Sequence, residues 1–296
     1  MLARLQQITT IGLVVLALGW ATLALRAGRS GWAAAGVAII LFGYAAVLAL
    51  EFLLLRHAHG DDPTPRASPL MLVRAWLGEV TSAPLVFCWR QPFRSRHWPD
   101  RLTQAEGRRG VLLIHGFVCN RGLWNAWMRR LAASGTPCVA VNLEPVFGAI
   151  DAYVPIIEAA VRRLEQATGR PPVAVAHSMG GLALRRWWAG HPDTRLHHAI
   201  TIGTPHHGTW LARFAMTPNG RQMQRHSAWL QGLAASEPAG RGARFTCFYG
   251  HCDNIVFPPR TAVLAEARTH HLPGVAHVHM VSRPEPWQAL LERLRD

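Results

Sequence analysis

The hydroxyl of Ser178 is the group in this sequence that is best placed for nucleophilic chemistry. It follows an apolar, strand-like run at 172–176 and precedes a helical pattern at 182–189. A serine hydroxyl is a weak nucleophile at neutral pH, so a reactive serine must stand clear of the backbone beside a base. The small residues Ala176 and Gly180 permit the sharp strand-to-helix turn that exposes such a side chain, although alanine replaces the usual first glycine. We therefore predict Ser178 as a catalytic nucleophile.

A carboxylate and an imidazole that could activate this serine come later in the chain. Asp253 follows another apolar run, at 244–249, and His277 lies in a loop near the carboxyl terminus. In a serine triad His277 would remove the proton from Ser178. Asp253 would hold the imidazole tautomer and stabilise its cationic form. The three residues are the predicted catalytic group.

Each of these assignments has competitors, because the chain contains 16 histidines and 17 acidic residues. His279 is the alternative base, since it lies two residues after His277 in the same loop. Asp151 and Asp193 could replace the acidic member, but they are better interpreted as a helix N-cap and a solvated loop carboxylate. We retain His277 as the predicted base.

Two backbone N–H groups are predicted to form an oxyanion hole. The hydrophobic run 111–114 ends in His-Gly, so the N–H of the following Phe117 can face the active centre. The N–H of Met179, directly after the predicted nucleophile, would be the second donor. Such preorganised donors stabilise the charge that develops in the transition state, each by roughly 3 kcal/mol.

Together these motifs resemble those of α/β-hydrolases of the bacterial triacylglycerol lipase and esterase type. The shared motifs are the Ala-His-Ser-Met-Gly-Gly elbow at 176–181, the Thr-Pro-His-x-Gly segment at 204–208 and the Asp-x-x-Val segment at 253–256. The resemblance extends over residues 110–294. It implies an α/β-hydrolase fold, the chain order nucleophile, acid, base, and hydrolysis of carboxylic esters through an acyl-serine without a cofactor.

The elements that must position these groups alternate along the chain after residue 109. This alternation predicts a mostly parallel central sheet covered by helices. The predicted strands are 110–114, 137–142, 172–176, 198–202 and 244–249, and the predicted helices are 151–168, 182–189 and 285–294. The stretch 210–240 falls where such hydrolases insert a cap, and its apolar residues make it a candidate lid over the serine.

The amino-terminal part of the chain has the pattern of a membrane anchor. Residues 8–25 and 30–50 carry no charge, and 18 helical residues span roughly 27 Å, close to the thickness of a hydrocarbon core. We predict a transmembrane helical hairpin over residues 1–59, a linker over 60–69 and a catalytic domain over 70–296. The hairpin is expected to localise the enzyme without taking part in its chemistry.

The distribution of arginine sets the expected orientation. Arg4, Arg56 and Arg66 lie on one side of the hairpin, and Arg26 and Arg29 lie on the other. The positive-inside rule then places both ends of the hairpin and the catalytic domain on the cytoplasmic face of a bacterial inner membrane.

Composition excludes several other classes of protein. The net charge is +14, all 31 basic residues are arginine, and 16% of residues are charged. The arginines are scattered without a zinc-finger spacing, so an anionic membrane surface explains the charge better than nucleic acid. The five cysteines form no CxxC pair, and His206 and His207 point apart on an extended chain. We predict no metal, no cofactor and no nucleic-acid partner.

The leading interpretation is a membrane-anchored serine esterase or lipase that acts on an ester or acyl-lipid substrate. A thioesterase, acyltransferase or amidase with the same three residues is the alternative within enzymes. A catalytically silent scaffold on the same fold is the alternative outside them. Acyl-chain length, leaving group and oligomeric state are left open at this point.

Overall fold

The computed structural model describes residues 1–296 and is organised around one six-stranded sheet. Its strands are β1 (Val111–Ile114), β2 (Cys138–Ala140), β3 (Val173–His177), β4 (His198–Ile202), β5 (Phe245–Tyr249) and β6 (Arg268–His271). They lie in the order β2-β1-β3-β4-β5-β6, and every neighbouring pair is parallel. The predicted parallel sheet is confirmed.

Eleven helices surround the sheet or precede it. They are α1 (Leu2–Arg26), α2 (Ser30–Phe42), α3 (Tyr44–His57), α4 (Pro69–Pro84), α5 (Gln91–Arg94), α6 (Asn125–Ala133), α7 (Val154–Thr168), α8 (Met179–Ala189), α9 (Pro218–Gln222), α10 (Ala228–Ser236) and α11 (Pro284–Arg295). A π-helical turn at Leu85–Arg90 joins α4 to α5.

Helices cover both faces of the sheet, and each face has its own core. Leu112 and Ile114 of β1 belong to the core beneath α7 and α8, whereas Val111 and Leu113 belong to the core beneath α6 and α11. Successive side chains of a strand point to opposite faces, so strands buried on both sides are apolar throughout. This explains why β1 to β5 are recognisable in the sequence as largely apolar runs.

The amino-terminal helices form a separate apolar layer. The helix Leu2–Arg26 and the continuous helix Pro69–Arg94 are long and apolar enough to cross a membrane, and the pair α2–α3 would make a third span if it is counted as one. This pair bends by 51° at Gly43, where a single helix over 30–50 was expected. Glycine weakens a helix locally, and sharp kinks concentrate at such positions.

These helices are bonded to one another and to the sheet domain. The Tyr44 hydroxyl of α3 donates to the carbonyl oxygen of Val80 in α4 at 2.8 Å. Gln6 of α1 donates to Gln91 of α5 at 2.7 Å, and both side chains are buried. The side chain of Asn120, in the loop after β1, donates to the carbonyl oxygen of Gln91 at 3.0 Å, so the helical layer is also joined to the sheet domain.

Candidate active site

Ser178 lies at the turn between β3 and α8, at the carboxyl edge of the sheet. Its backbone has φ +54° and ψ −133°, a conformation that strains a residue with a side chain. The turn is possible because Gly180 brings α8 so close to β1 that a Cβ there would collide with the carbonyl oxygen of His115. A Cβ at Gly116 would likewise lie 2.7 Å from that of Ser178. The strain and the close packing are what a nucleophile elbow requires.

Asp253 and His277 form a buried pair in the loops after β5 and β6. Nδ1 of His277 lies 2.9 Å from Oδ1 and 3.0 Å from Oδ2 of the carboxylate. The backbone N–H groups of Ile255 and Val256 donate to Oδ1 of Asp253 at 2.9 and 2.8 Å. The carboxylate is thus held from two sides, and it fixes the orientation of the imidazole.

Gly203, in the turn after β4, makes room for this pair. It has φ +56°, and a Cβ at this position would lie 3.0 Å from Oδ2 of Asp253 and 3.1 Å from Nδ1 of His277. The left-handed backbone and the close approach both favour glycine. Gly203, directly before the Thr-Pro-His-x-Gly segment, therefore permits the close packing of Asp253 and His277.

The charge around His277 raises its pKa above the ordinary value. Burial alone would lower the pKa of this imidazole, but the charge and hydrogen bond of Asp253 outweigh burial, and Glu79 and Glu51 add to the effect. The neighbouring ring of His177 lies 4.5 Å away between centroids, and burial lowers its pKa far below the usual range. The cation that forms on proton transfer is therefore stabilised on His277 and not on His177.

Ser178 and His277 line the same cavity, but their side chains do not hydrogen-bond in this structure. Hydrogen bonds between a nucleophile and its base are often long until a substrate closes the site. The structure therefore brings Ser178 and the Asp253–His277 pair to the same end of the sheet without a serine–histidine hydrogen bond.

The two predicted oxyanion donors lie on either side of the serine. Met179 is the first residue of α8, where the helix dipole also favours negative charge. Phe117 follows β1 and lines the cavity at Ser178. No backbone acceptor is found for either N–H in the fold, as the predicted role of both as donors to a substrate oxygen requires.

The competing histidine and carboxylates have other surroundings. His279 lines a different cavity of about 360 Å³, beside α4. Asp151 accepts hydrogen bonds from Arg186, Gln222 and Trp229, and Asp193 pairs with Arg241. None of these three residues lines the cavity that contains Ser178.

The segment 210–240 contains α9 and α10 and packs on the core beneath α7 and α8. Trp229 donates to Asp151 at 2.7 Å, and Leu230 and Leu233 are buried in that core. No residue of the segment lines the cavity at Ser178. Its function as a lid stays a prediction.

A cavity of about 900 Å³ opens at Ser178, and its far walls come from the amino-terminal helices. Residues of α1, α2, α3, α4 and the following π-helical turn contribute to it, most of them hydrophobic; they include Val14, Ile40, Val47, Leu48, Ala83 and Phe87. This differs from the expectation that the hairpin is only an anchor. The contribution of these helices to the cavity could not be predicted from sequence, because membrane spans and cavity walls have the same apolar composition.

Two glutamates, the buried Glu79 and the half-buried Glu51, connect these helices to the loops of the candidate site. Glu79 of α4 accepts the N–H groups of Val278 and His279, each at 3.0 Å. Glu51 of α3 accepts a hydrogen bond from Asn254 at 2.6 Å, beside Asp253. Sequence analysis missed both residues, although an acidic residue inside an apolar segment signals a buried partner.

Comparison with known proteins agrees with the observed architecture. No protein-family model and no curated protein matches the chain. The mature lipase BlEst2 of Bacillus licheniformis superposes with a TM-score of 0.53 at 15% identity, covering 64% of this chain and 92% of its own. Aspergillus fumigatus lipase B gives a TM-score of 0.53 at 20% identity, covering 62% of this chain and 52% of its own. At such identities the likeness shows the fold alone, which is that of the α/β-hydrolases.

Proposed function

We propose that this α/β-hydrolase-fold protein is a membrane-associated serine hydrolase that cleaves carboxylic esters through an acyl-serine intermediate. The observation that carries the proposal is the strained Ser178 elbow, which shares an apolar cavity with His277, the imidazole that is paired with the buried Asp253. The likeness to lipases in fold is consistent with this chemistry but does not establish it.

The reaction proceeds in two half-reactions. Ser178 Oγ attacks the acyl carbon while His277 Nε2 takes the hydroxyl proton, and the ester oxygen then leaves with that proton as an alcohol. Water attacks the acyl-serine next, gives its proton to His277, and the acyl–oxygen bond to Ser178 breaks with return of that proton to the serine. The products are a carboxylic acid and an alcohol, and the enzyme is regenerated.

Asp253 and the two oxyanion donors do not react themselves, but they orient the imidazole and stabilise charge. Asp253 keeps the proton of the neutral imidazole on Nδ1, so that Nε2 is free to act as the base. The N–H groups of Phe117 and Met179 stabilise the tetrahedral oxyanion in both half-reactions. These roles are proposals that rest on the distances and free donors described above.

Membrane association is supported by the apolar helices and by the position of their ends. Side chains such as Ile8, Leu16, Leu23, Leu50 and Leu53 are exposed, and a contiguous apolar surface of this kind marks contact with lipid. The amino terminus lies 3.2 Å from Glu144 of the sheet domain. This proximity agrees with a hairpin whose two ends face the catalytic domain, and the arginine distribution favours the cytoplasmic side of a bacterial inner membrane.

A fluorophosphonate probe tests the nucleophile directly. The wild-type protein in detergent should be labelled, and Ser178→Ala should not be, whereas Ser236→Ala in α10 serves as the matched control and should label normally. Hydrolysis of a p-nitrophenyl ester should fall at least about a thousandfold in Ser178→Ala. Parallel assays with the corresponding thioester and anilide show whether the enzyme prefers an alcohol, a thiol or an amine as the leaving group. Equal labelling of Ser178→Ala and wild type would refute the proposal.

A further inference from the structure

We infer that α1–α4 form the acyl-chain site of this enzyme, and that its substrate is a lipid ester whose long acyl chain enters the Ser178 cavity from the bilayer. This inference rests on the proposed function, because it names the substrate class of the same site. It assigns the amino-terminal helices a part in substrate binding.

The cavity extends from Ser178 to the amino-terminal helices. Ser178 and His277 lie in its wall together with Val14 of α1, Ile40 of α2 and Leu48 of α3. A ligand that places its carbonyl carbon at Ser178 can therefore extend the rest of its length between these helices. The volume of about 900 Å³ is at the upper end of the roughly 300–1,000 Å³ of small-molecule sites.

Several polar groups of the cavity already have hydrogen-bond partners within the protein. The Tyr44 hydroxyl already donates to Val80, Glu51 already accepts from Asn254, and Glu79 already accepts two backbone N–H groups. A sugar or peptide would find few unpaired partners there, and its own polar groups would remain unsatisfied. An alkyl chain needs no such partners and gains from burial against apolar side chains.

The outer surface of the same helices is apolar as well. Val15 of α1 and Leu50 of α3 are 62% and 54% exposed and do not line the cavity, although each is close in sequence to a residue that does. Each helix therefore presents one apolar face to the surroundings and another to the cavity. Where the outer face lies in lipid, the cavity is separated from the bilayer by these helices alone.

The loops that hold Asp253 and His277 also pack against these helices. Phe52 of α3 and Ala75 of α4 pack with Cys252 and Ala276, the residues directly before Asp253 and His277. Glu79 and Glu51 hold the same loops by hydrogen bonds. An acyl chain between the helices is thus held by the element that also positions the acid and the base.

Matched tryptophan variants test the site in the full-length protein in detergent micelles. Leu48→Trp fills the cavity, and Leu50→Trp places the same side chain on the outer face of α3. Val14→Trp and Val15→Trp are the equivalent pair on α1. The substrates are p-nitrophenyl butyrate and p-nitrophenyl palmitate, which differ only in chain length.

We expect Leu48→Trp and Val14→Trp to lower kcat/KM for the palmitate ester at least tenfold more than they lower kcat/KM for the butyrate ester. The reason is that each buried methylene raises kcat/KM by up to about fourfold. Leu50→Trp and Val15→Trp should leave both values unchanged. Unaltered palmitate hydrolysis in Leu48→Trp and Val14→Trp would overturn the inference.

A second measurement uses the unmodified sequence, so it does not depend on the folding of a variant. A hexadecyl fluorophosphonate with a photoactivatable diazirine at the chain end should attach to Ser178 and, on irradiation, cross-link to residues of α1–α3. Cross-links confined to 210–240 would overturn the inference. Absence of any serine adduct would instead refute the proposed function, so the two failures are distinguishable.

Acyl esters in a bilayer occur in neutral glycerides and in phospholipids, and vesicle assays separate these sources. Full-length protein is reconstituted with dioleoylglycerol in one preparation and dioleoylphosphatidylglycerol in another, and released oleate is measured. Release from either preparation supports entry from the bilayer and identifies the source. Release from neither, with detergent-dispersed palmitate ester still hydrolysed, would contradict entry from the bilayer.

Discussion

His277 and His279 are two residues apart, yet they have different chemical surroundings. The ring of His277 is bonded to Asp253 and faces the serine cavity, whereas the ring of His279 packs beside Gly78 of α4. We expect His277→Ala to lower kcat at least about a thousandfold and His279→Ala less than tenfold. Steady-state kinetics on a short soluble ester, with fluorophosphonate labelling as a check on the serine, would measure this. A larger loss in His279→Ala would reverse the assignment.

The raised pKa of His277 determines the pH dependence of the reaction. The base must be neutral to accept a proton, so kcat/KM should fall as pH decreases through this pKa, with a midpoint above the ordinary value of about 6.5. Asp253→Asn removes the carboxylate charge that raises the pKa. The midpoint should therefore move to lower pH, while kcat falls about ten-thousandfold because the tautomer is no longer fixed. An unchanged midpoint would show that another group titrates.

Glu79 is expected to be a positioning residue, because it accepts N–H groups of Val278 and His279 and does not contact the serine. Glu79→Gln keeps only one acceptor oxygen, so we expect kcat to fall about tenfold with little change in KM. The midpoint of the pH profile should also shift to lower pH, because the Glu79 charge contributes to the raised pKa of His277. The exposed Glu292→Gln is the control. A loss of kcat without any shift would indicate a purely structural role.

The proximity of Ser178, Asp253 and His277 could be predicted from sequence, whereas that of the two glutamates to the same loops could not; the catalytic roles stay predictions. A serine elbow is encoded by neighbouring residues, and Asp253 and His277 each follow a strand of the same sheet. By contrast, Glu79 and its partner Val278 are separated by 199 positions. Their pairing depends on how the amino-terminal helices dock on the sheet, which no local pattern specifies.

Among the elements, the turn from β3 to α8 leaves no room for a side chain at Gly180. A Cβ at Gly180 would collide with the backbone of His115, whereas one at Gly232 in α10 meets nothing within 4 Å. We expect Gly180→Ala to lower the free energy of unfolding by about 1–3 kcal/mol. Gly232→Ala should raise it by about 0.5–1 kcal/mol, because alanine is the better helix former. Thermal denaturation in detergent measures both, and a stable, fully active Gly180→Ala would contradict the packing argument.

Strands β1–β5 were predictable, and β6, α4 and the bend at Gly43 were not. The first five strands are buried on both faces, so burial selects continuous apolar runs. β6 has the sequence Arg-Thr-His-His at the sheet edge and carries no such signal. No element was predicted where the continuous helix Pro69–Arg94 lies, and this helix runs on through Pro84 and the π-helical turn. Interruptions of this kind depend on packing between helices.

The whole molecule behaves as one catalytic unit if the helices complete the active site. A chain that begins at Asp61 lacks α1–α3, and with them the hydrogen bond from Asn254 to Glu51 and the packing of Phe52 on Cys252. We expect its kcat/KM for a short soluble ester to fall at least tenfold, provided that circular dichroism shows a cooperative melt. A kcat/KM equal to that of the full-length chain would restore the interpretation of the hairpin as a simple anchor.

The cysteines of the chain are all free, and they differ sharply in accessibility. Cys88 is exposed and lies in the wall of the cavity, whereas the other four are buried. Burial raises the pKa of the Cys119 thiol to about 12 and that of Cys138 to about 11, which leaves them unreactive. A small maleimide should therefore modify the natural sequence at one place. A fluorophore or spin label on Cys88 would report from inside the cavity on the arrival and departure of a ligand, without any engineered residue.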